Sequence, residues 1–144
     1  TTLKQAGSKN KQYLVDFSYQ YIFAKYASEN GVTDYFLVSS AGANPKSMIF
    51  YSRIKGELEE EVKKLNYSKI SILQPSVLSG ERTEKRSGEK YGEIFINAFG
   101  KILPFLRKYR SIDGGIVARS MINIYKKDRP EKIRTYRLDE LFYA

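Results

Sequence analysis

A tyrosine and a lysine four residues apart, Tyr51 and Lys55, follow two adjacent serines, Ser39 and Ser40. The serines end an apolar run typical of a buried strand, and the tyrosine and lysine fall in the helix that comes next. Residues at i and i+4 lie on the same helix face, so the phenol and the ammonium are expected together at the strand end. An ammonium lowers the pKa of a phenol from its ordinary value of about 10. Such a set can exchange a proton while a serine hydroxyl polarises a carbonyl.

The tyrosine–lysine spacing alone discriminates poorly, because Tyr21 and Lys25 share it. Tyr21 lies in a long apolar helix that precedes any strand, so it is expected in the core with Lys25 solvated. Tyr51 instead follows a strand and a loop containing a glycine, and open parallel sheets bind ligands at the carboxyl ends of their strands. The context therefore favours Tyr51 and Lys55. The alternative is that Tyr51 is a packing aromatic and Lys55 a surface charge.

Proton exchange with a carbonyl or alcohol at this site would require a cofactor. Interconversion of a carbonyl and an alcohol most naturally transfers a hydride in addition to the proton. No side chain can supply a hydride, whereas a nicotinamide cofactor can. The chain has no Cys and no His. A Ser-His-Asp triad and thiolate metal sites are thus excluded, and no metal site is expected.

The pattern of apolar residues predicts an α/β fold with a parallel sheet. Two nearly continuous apolar strands flank a helix of about 18 residues, which is a βαβ unit. The predicted elements are helices at 11–30, 47–65 and 111–127, strands at 33–39, 69–73 and 133–138, a short helix at 93–99, and a final helical turn at 139–143.

Each predicted helix carries further expectations. Ser8 or Asn10 can cap the first helix and Gly31 can end it, and its wide apolar face is expected to be buried between the sheet and another layer. In the second, the acidic face is expected to be solvated; it consists of Glu57, Glu59, Glu60 and Glu61. The third is expected to begin near Asp113 and to turn five side chains inward: Ile116, Val117, Met121, Ile124 and Tyr125.

The net charge is +9 and the isoelectric point about 9.6. Basic residues are densest at 101–110 and 126–137 but are otherwise scattered, which favours a solvated or phosphate-attracting surface over a nucleic-acid face. No apolar run reaches the roughly 20 residues that span a bilayer, and no secretory signal segment is present. A cytoplasmic location without membrane contact is expected.

Several motifs together resemble the short-chain dehydrogenase/reductase family. The similarity is greatest to its atypical branch, which contains the Tat-interacting metastasis-suppressor proteins and bacterial nucleoside-diphosphate-sugar epimerase-like proteins. The similar segments are TT…AGS at 1–8, VD at 15–16, VSSAGA at 38–43, FYSRIKGELE at 50–59, ILQPSVLSGER at 72–82, SGE at 87–89 and VARSM at 117–121.

The resemblance implies a catalytic set of Ser40, Tyr51 and Lys55, with Ser40 preferred to Ser39 because it directly precedes the small-residue loop. Many family members have Asn where this chain has Asp16, which leaves open the proton relay that this Asn serves. The implied cofactor is NADP(H) or NAD(H). The residues implied to bind it are Thr1, Thr2, Ser39, Tyr51, Lys55, Pro75, Ser76, Val77 and Leu78.

The resemblance also implies a domain organisation. Residues 1–144 would be the C-terminal part of a single Rossmann-like, doubly wound NAD(P)-binding domain, with 79–112 on the substrate side. The glycine-rich Gly-x-Gly-x-x-Gly turn that holds a pyrophosphate is absent from these residues. The isolated chain is therefore expected to be inactive.

The implied function is hydride transfer between a nicotinamide cofactor and a carbonyl or alcohol. A sugar-nucleotide epimerase is a variant of the same site. The alternative from another class is a regulatory or scaffold protein that binds dinucleotide with little turnover. The substrate would be a small carbonyl compound or a sugar nucleotide, and the oligomeric state is left open.

Overall fold

The computed structural model describes residues 3–79 and 111–144, which fall into two compact units. The first unit contains residues 3–73 and 130–135, and the second contains 74–79, 111–129 and 136–144. The expectations for Thr1, Thr2, the short helix at 93–99 and most of the substrate-side region lie outside the described residues.

The first unit is built on a three-stranded parallel sheet in the order β1–β2–β5. The strands are β1 (Asp34–Val38), β2 (Lys69–Gln74) and β5 (Ile133–Arg137). β1 and β2 run parallel, with Asp34 opposite Lys69 and Val38 opposite Leu73. β2 is buried on both faces after its first residue, as expected for a central strand of a parallel sheet. The mixed α/β fold with parallel strands is confirmed.

Helices flank this sheet. The first helical stretch is continuous from Lys9 to Glu29, but it contains one π-helical turn that the sequence pattern did not indicate. As predicted, Ser8 caps it by accepting a hydrogen bond from the Lys11 N–H, and Gly31 follows it with φ +81°. The helical segments are α1 (Leu3–Ala6), α2 (Lys9–Tyr13), the π turn (Leu14–Ser18), α3 (Tyr19–Glu29) and α4 (Phe50–Lys63).

The core of this unit lies between the sheet and the helices α3 and α4. Tyr35 stacks on the buried Tyr67, with ring centroids 5.0 Å apart, and the Tyr67 hydroxyl donates to the Ala24 carbonyl. Tyr21 packs against the same cluster, as predicted. The buried cluster consists of Ala24, Leu37, Leu58, Val62, Tyr67, Ile70 and Ile72.

The phenol of Tyr35 makes this core less stable at alkaline pH. Burial, with a smaller contribution from Tyr67, raises the pKa of Tyr35 to about 12. Above about pH 10 the unfolded chain loses this proton while the folded chain keeps it, so stability falls as the pH rises toward 12. Tyr35→Phe should therefore lose less stability than the wild type between pH 9 and pH 11, measured by urea unfolding. Equal losses in the variant and the wild type would contradict this. Tyr26→Phe, at an exposed site, is the control.

The outer face of α3 is exposed, although its apolar residues predicted burial on both sides. The wide apolar stripe of this helix is not buried on both sides, because Phe23 is 68% exposed and its neighbours along the same face are also exposed. Only the side that carries Ala24 reaches the core. The exposed face consists of Tyr19, Ile22, Phe23 and Tyr26.

The second unit contains a short parallel pair, β3 (Leu78–Ser79) and β4 (Ile112–Asp113), followed by α5 (Gly114–Lys126). α5 begins directly after Asp113, as predicted, and the Asp113 Oδ1 caps it by accepting from the Gly115 N–H at 2.8 Å. Tyr125 is exposed, so its predicted inward orientation is wrong. A 3₁₀ turn (Leu138–Phe142) contacts α5 where the Ser120 hydroxyl donates to the Leu141 carbonyl. No helix within 3–79 and 111–144 is long and apolar enough to cross a membrane.

Candidate active site

The two serines after β1 have different surroundings. The Ser39 N–H donates to the Leu73 carbonyl at 2.7 Å, which continues the pairing of β1 with β2 by one residue. The Ser39 hydroxyl is buried and has no hydrogen-bonding partner among the described residues. The half-buried Ser40 hydroxyl donates to the Ala41 carbonyl at 3.3 Å.

The loop between β1 and α4 is packed tightly against the helix. It turns at Gly42, which has φ +79°, and the Asn44 N–H donates to the Ser52 carbonyl at 3.0 Å. At Gly56 a Cβ atom would lie 2.3 Å from the Pro45 nitrogen and 2.4 Å from the Asn44 carbonyl carbon. Only glycine lets the loop backbone approach the helix this closely.

The helix α4 begins three residues later than predicted, at Phe50 rather than Ser47. Ser47 instead forms a local turn, because its hydroxyl accepts from the Ile49 N–H at 3.1 Å. Its carbonyl also accepts from the Arg53 guanidinium at 3.1 Å. Tyr51 is thus the second residue of α4 and is 37% exposed, at the end of the helix that the loop approaches.

Lys55 lies one turn further along α4 and is only 4% exposed, so it is not a surface charge. Its Nζ donates to the Gln20 Oε1 at 3.2 Å and to the Val38 carbonyl at 3.3 Å. The second bond brings the ammonium to the last residue of β1, directly before Ser39. Burial lowers the pKa of Lys55, and the negative charges of Asp16 and Glu59 partly oppose this effect.

Glu59 corrects the expected acidic surface of α4. It is 5% exposed and lies one turn beyond Lys55 on the same helix. The other acidic residues remain at the surface, where Glu60 pairs with Lys63 and Glu61 with Lys64. The helix therefore places one carboxylate beside the buried ammonium rather than in solvent.

The buried ammonium predicts a dependence of stability on pH. Because the pKa of Lys55 is lower in the folded chain than in the unfolded chain, the unfolded chain binds more protons between the two values. The contribution of Lys55 to stability therefore increases as the pH rises toward 10.5. The free energy of unfolding of the wild type, minus that of Lys55→Met, should become more positive between pH 7 and pH 10, which means that the wild type gains stability relative to the variant. A constant or falling difference would contradict this assignment.

Two residues of the first unit could hold a ribose hydroxyl. An ammonium has three N–H donors, and within the described part of the chain two of them go to Gln20 and Val38. The third can bond a hydroxyl oxygen, either that of a ribose or that of Tyr51. The residues of the first unit that could hold a nicotinamide ribose are therefore Lys55 and Tyr51.

The other residues implied to bind cofactor, Pro75, Ser76, Val77 and Leu78, belong to the second unit. Pro75 is fully buried, and the Val77 carbonyl accepts from the Ile112 N–H at 3.0 Å. Leu78 pairs with Ile112 in the short β3–β4 ladder.

The sequence reasoning missed Gln20 as a member of the site. A signal for it does exist, because Gln12, Asp16 and Gln20 recur every four residues in a helix whose other positions are largely apolar. Gln12 and Asp16 are buried. A polar stripe at helical spacing in an apolar helix predicts a buried polar contact on that face.

The chain is similar to fungal proteins named "Protein fmp52, mitochondrial". It is 36% identical over 123 residues to the Emericella nidulans protein, which covers 85% of this chain and 53% of the relative. To the Coccidioides immitis protein it is 38% identical over 124 residues, covering 85% of this chain and 50% of the relative. The chain thus spans about half the length of the curated relatives it matches. No family profile matches the chain.

These names correct the expected location. The Lodderomyces elongisporus relative, 39% identical over 124 residues, which cover 82% of this chain and 51% of the relative, is likewise named as mitochondrial. The expectation of a cytoplasmic protein is therefore wrong. The residues of the sequence offer no signal that separates the cytoplasm from the mitochondrion.

Proposed function

We propose that this chain is part of a mitochondrial NAD(P)(H)-dependent oxidoreductase of the short-chain dehydrogenase/reductase type, with a Rossmann-like, doubly wound fold. The observation that carries the proposal is the buried Lys55 ammonium, held at the end of β1 and one helical turn from Tyr51. Burying an ammonium costs free energy, and ionisable groups whose pKa is shifted by burial and charged neighbours cluster at functional sites. The mitochondrial location follows the names of the relatives.

In this proposal each residue of the first unit has one task. The Ser40 hydroxyl donates to a carbonyl oxygen of the substrate and orients it. Tyr51 gives its phenolic proton to that oxygen during reduction or takes it back during oxidation. Lys55 favours the phenolate form of Tyr51 by its charge and uses its third N–H to hold a ribose hydroxyl. The bound nicotinamide supplies or accepts the hydride.

The remaining cofactor contacts rest on the family resemblance. Thr1 and Thr2 would lie near the ribose, and residues 75–78 would line the nicotinamide. The positive net charge of +9 favours NADP(H) over NAD(H), because the extra phosphate of NADP(H) is anionic. A sugar nucleotide, as in the epimerase variant, would use the same serine, tyrosine and lysine.

A second candidate function is a dinucleotide-binding regulatory or scaffold protein. The exposed apolar face of α3 favours it, since a row of large apolar side chains in solvent is typical of a surface that binds another protein. Both functions require dinucleotide binding. They differ in turnover.

The discriminating experiment uses the full-length protein with NADPH and NADH. Binding of each dinucleotide is measured by calorimetry, and dinucleotide oxidation is followed with a panel of aldehydes and ketones. The oxidoreductase proposal expects binding of NADPH and oxidation with at least one substrate class. Tight binding without oxidation, also when sugar nucleotides are supplied, supports the regulatory alternative. Absence of binding to either dinucleotide overturns both.

A further inference from the structure

We infer that Gln20 is a positioning residue that fixes the direction of the Lys55 ammonium at the strand end. Its role in turnover rests on the proposed function, but its contact with Lys55 does not. The carbonyl oxygen of the Gln20 side chain accepts from Lys55 Nζ at 3.2 Å, across 35 residues of sequence. The ammonium also donates to the backbone carbonyl of Val38, at 3.3 Å.

The chemistry of the two groups fixes the orientation of the Gln20 amide. An ammonium can only donate hydrogen bonds, so the amide must turn its oxygen toward Lys55. Its nitrogen then faces the other way and reaches the Val15 carbonyl at 3.5 Å. That distance is at the long limit of a hydrogen bond, so the bond to Lys55 is the stronger of the two.

A π turn directly precedes the segment that holds Gln20. Residues 14–18 form the π turn, in which the Tyr19 N–H donates to the Leu14 carbonyl five residues earlier. Such turns occur frequently at functional sites. Here the turn carries Asp16 and leads directly into the part of α3 that holds Gln20, so one helix supplies both a carboxylate and an amide to the lysine.

Two neutral acceptors and two carboxylates therefore surround one ammonium. Val38 on β1 and Gln20 on α3 accept its hydrogen bonds, while Asp16 on the π turn and Glu59 on α4 act through their charge. Removing the Gln20 oxygen should leave the carboxylates in place but free the ammonium to swing away from the strand end. The direction of Lys55 would then no longer suit a ribose hydroxyl.

The test compares Gln20→Leu, which removes the acceptor, with Gln20→Glu, which retains an oxygen and adds a charge. The first readout is the titration of the Lys55 side chain by NMR with labelled lysine, in the full-length protein without dinucleotide. Hydrogen bonds to the charged form favour it, so the pKa of Lys55 should fall in Gln20→Leu and rise in Gln20→Glu. Gln5→Leu, at an exposed site on α1, is the control and should leave the titration unchanged.

The second readout is turnover, if the full-length protein has it. Gln20→Leu should lower kcat about tenfold, the effect of losing a charge-assisted hydrogen bond of roughly 1.4 kcal/mol, and should shift its pH profile. Gln20→Glu should retain more activity than Gln20→Leu.

The outcomes separate the two proposals. A Lys55 titration that is the same in the wild type and in Gln20→Leu overturns the positioning role, whatever the activity. If Gln20→Leu does not fold, an unchanged or lowered pKa in Gln20→Glu overturns it instead. Shifted titrations in a protein without turnover support the role of Gln20 and overturn only the oxidoreductase proposal.

Discussion

Replacing Gly56 with alanine is expected to destabilise the protein by about 3 kcal/mol or more, at the upper end of the range for overpacking. The added Cβ would lie 2.3 Å from the Pro45 nitrogen and within 2.6 Å of two backbone atoms of Asn44. Backbone atoms cannot rotate away as a flexible side chain does. The variant must therefore move the loop off α4 or distort the helix.

The sign of this effect is opposite to that of helix propensity. At an exposed helix position, replacing glycine with alanine stabilises by roughly 1 kcal/mol. Gly114→Ala in α5 is the matched control, because a Cβ there meets nothing within 4 Å. Chemical denaturation should give a large loss for Gly56→Ala and no loss for Gly114→Ala. If both changes leave the unfolding free energy unchanged or raise it, the loop is not packed on α4 as described.

The Tyr51→Phe variant is expected to lose turnover by about 10²- to 10⁴-fold, the usual contribution of a positioned acid or base. The change removes the phenolic oxygen and keeps the ring, and Tyr51 lies at the partly exposed start of α4. Stability should therefore change little, and any loss of dinucleotide affinity reports the ribose contact proposed for Tyr51 separately from the loss of turnover. The measurement is kcat for dinucleotide oxidation by the full-length protein, with affinity determined in parallel.

The second tyrosine–lysine pair provides the control for this variant. Tyr21 has the same spacing to Lys25, but it packs on the core and Lys25 lies at the surface near Glu29. Tyr21→Phe should leave kcat within about twofold if the protein is folded, since it places no hydroxyl at the site. Equal turnover in Tyr51→Phe and the wild type would remove Tyr51 from the chemistry.

The parts of the fold that could be predicted are those governed by local rules. β1 and β2 can be recognised from their nearly continuous apolar runs, and the structure places them side by side in a parallel sheet. Only β2 is buried on both faces, since β1 is mostly half-buried and its last residue, Val38, is exposed. Ser8, Gly31 and Asp113 were assigned to helix ends because capping depends on the residue type and its immediate neighbours.

The parts that could not be predicted depend on contacts between distant segments. Glu59 looked like a solvated carboxylate, because nothing within α4 indicates that its side of the helix is covered. The polar stripe of the first helix indicates a buried contact for Gln20, but it does not identify the partner, Lys55, which lies 35 residues away. The π turn before Gln20 is not indicated by any local pattern. The tight approach of the loop to Gly56 is likewise a tertiary contact, although the glycine itself is visible in the sequence.

The exposure of the outer face of α3 could not be predicted either, because it too depends on what packs against the helix. Periodicity identified which residues share a face, but the number of apolar side chains suggested burial on both sides. In the structure only the Ala24 side is covered. Apolar spacing therefore predicted the helix and its faces, but it could not tell a core face from a face that is open to another protein surface.

The most direct test of the central claim is a structure of the full-length protein with NADPH. We expect a hydroxyl of the nicotinamide ribose within hydrogen-bonding distance of Lys55 Nζ, about 2.7–3.2 Å. We also expect the nicotinamide ring at the end of β1, near Ser40 and Tyr51. A dinucleotide bound elsewhere, or a Lys55 ammonium that contacts only protein groups in the complex, would contradict the proposed function.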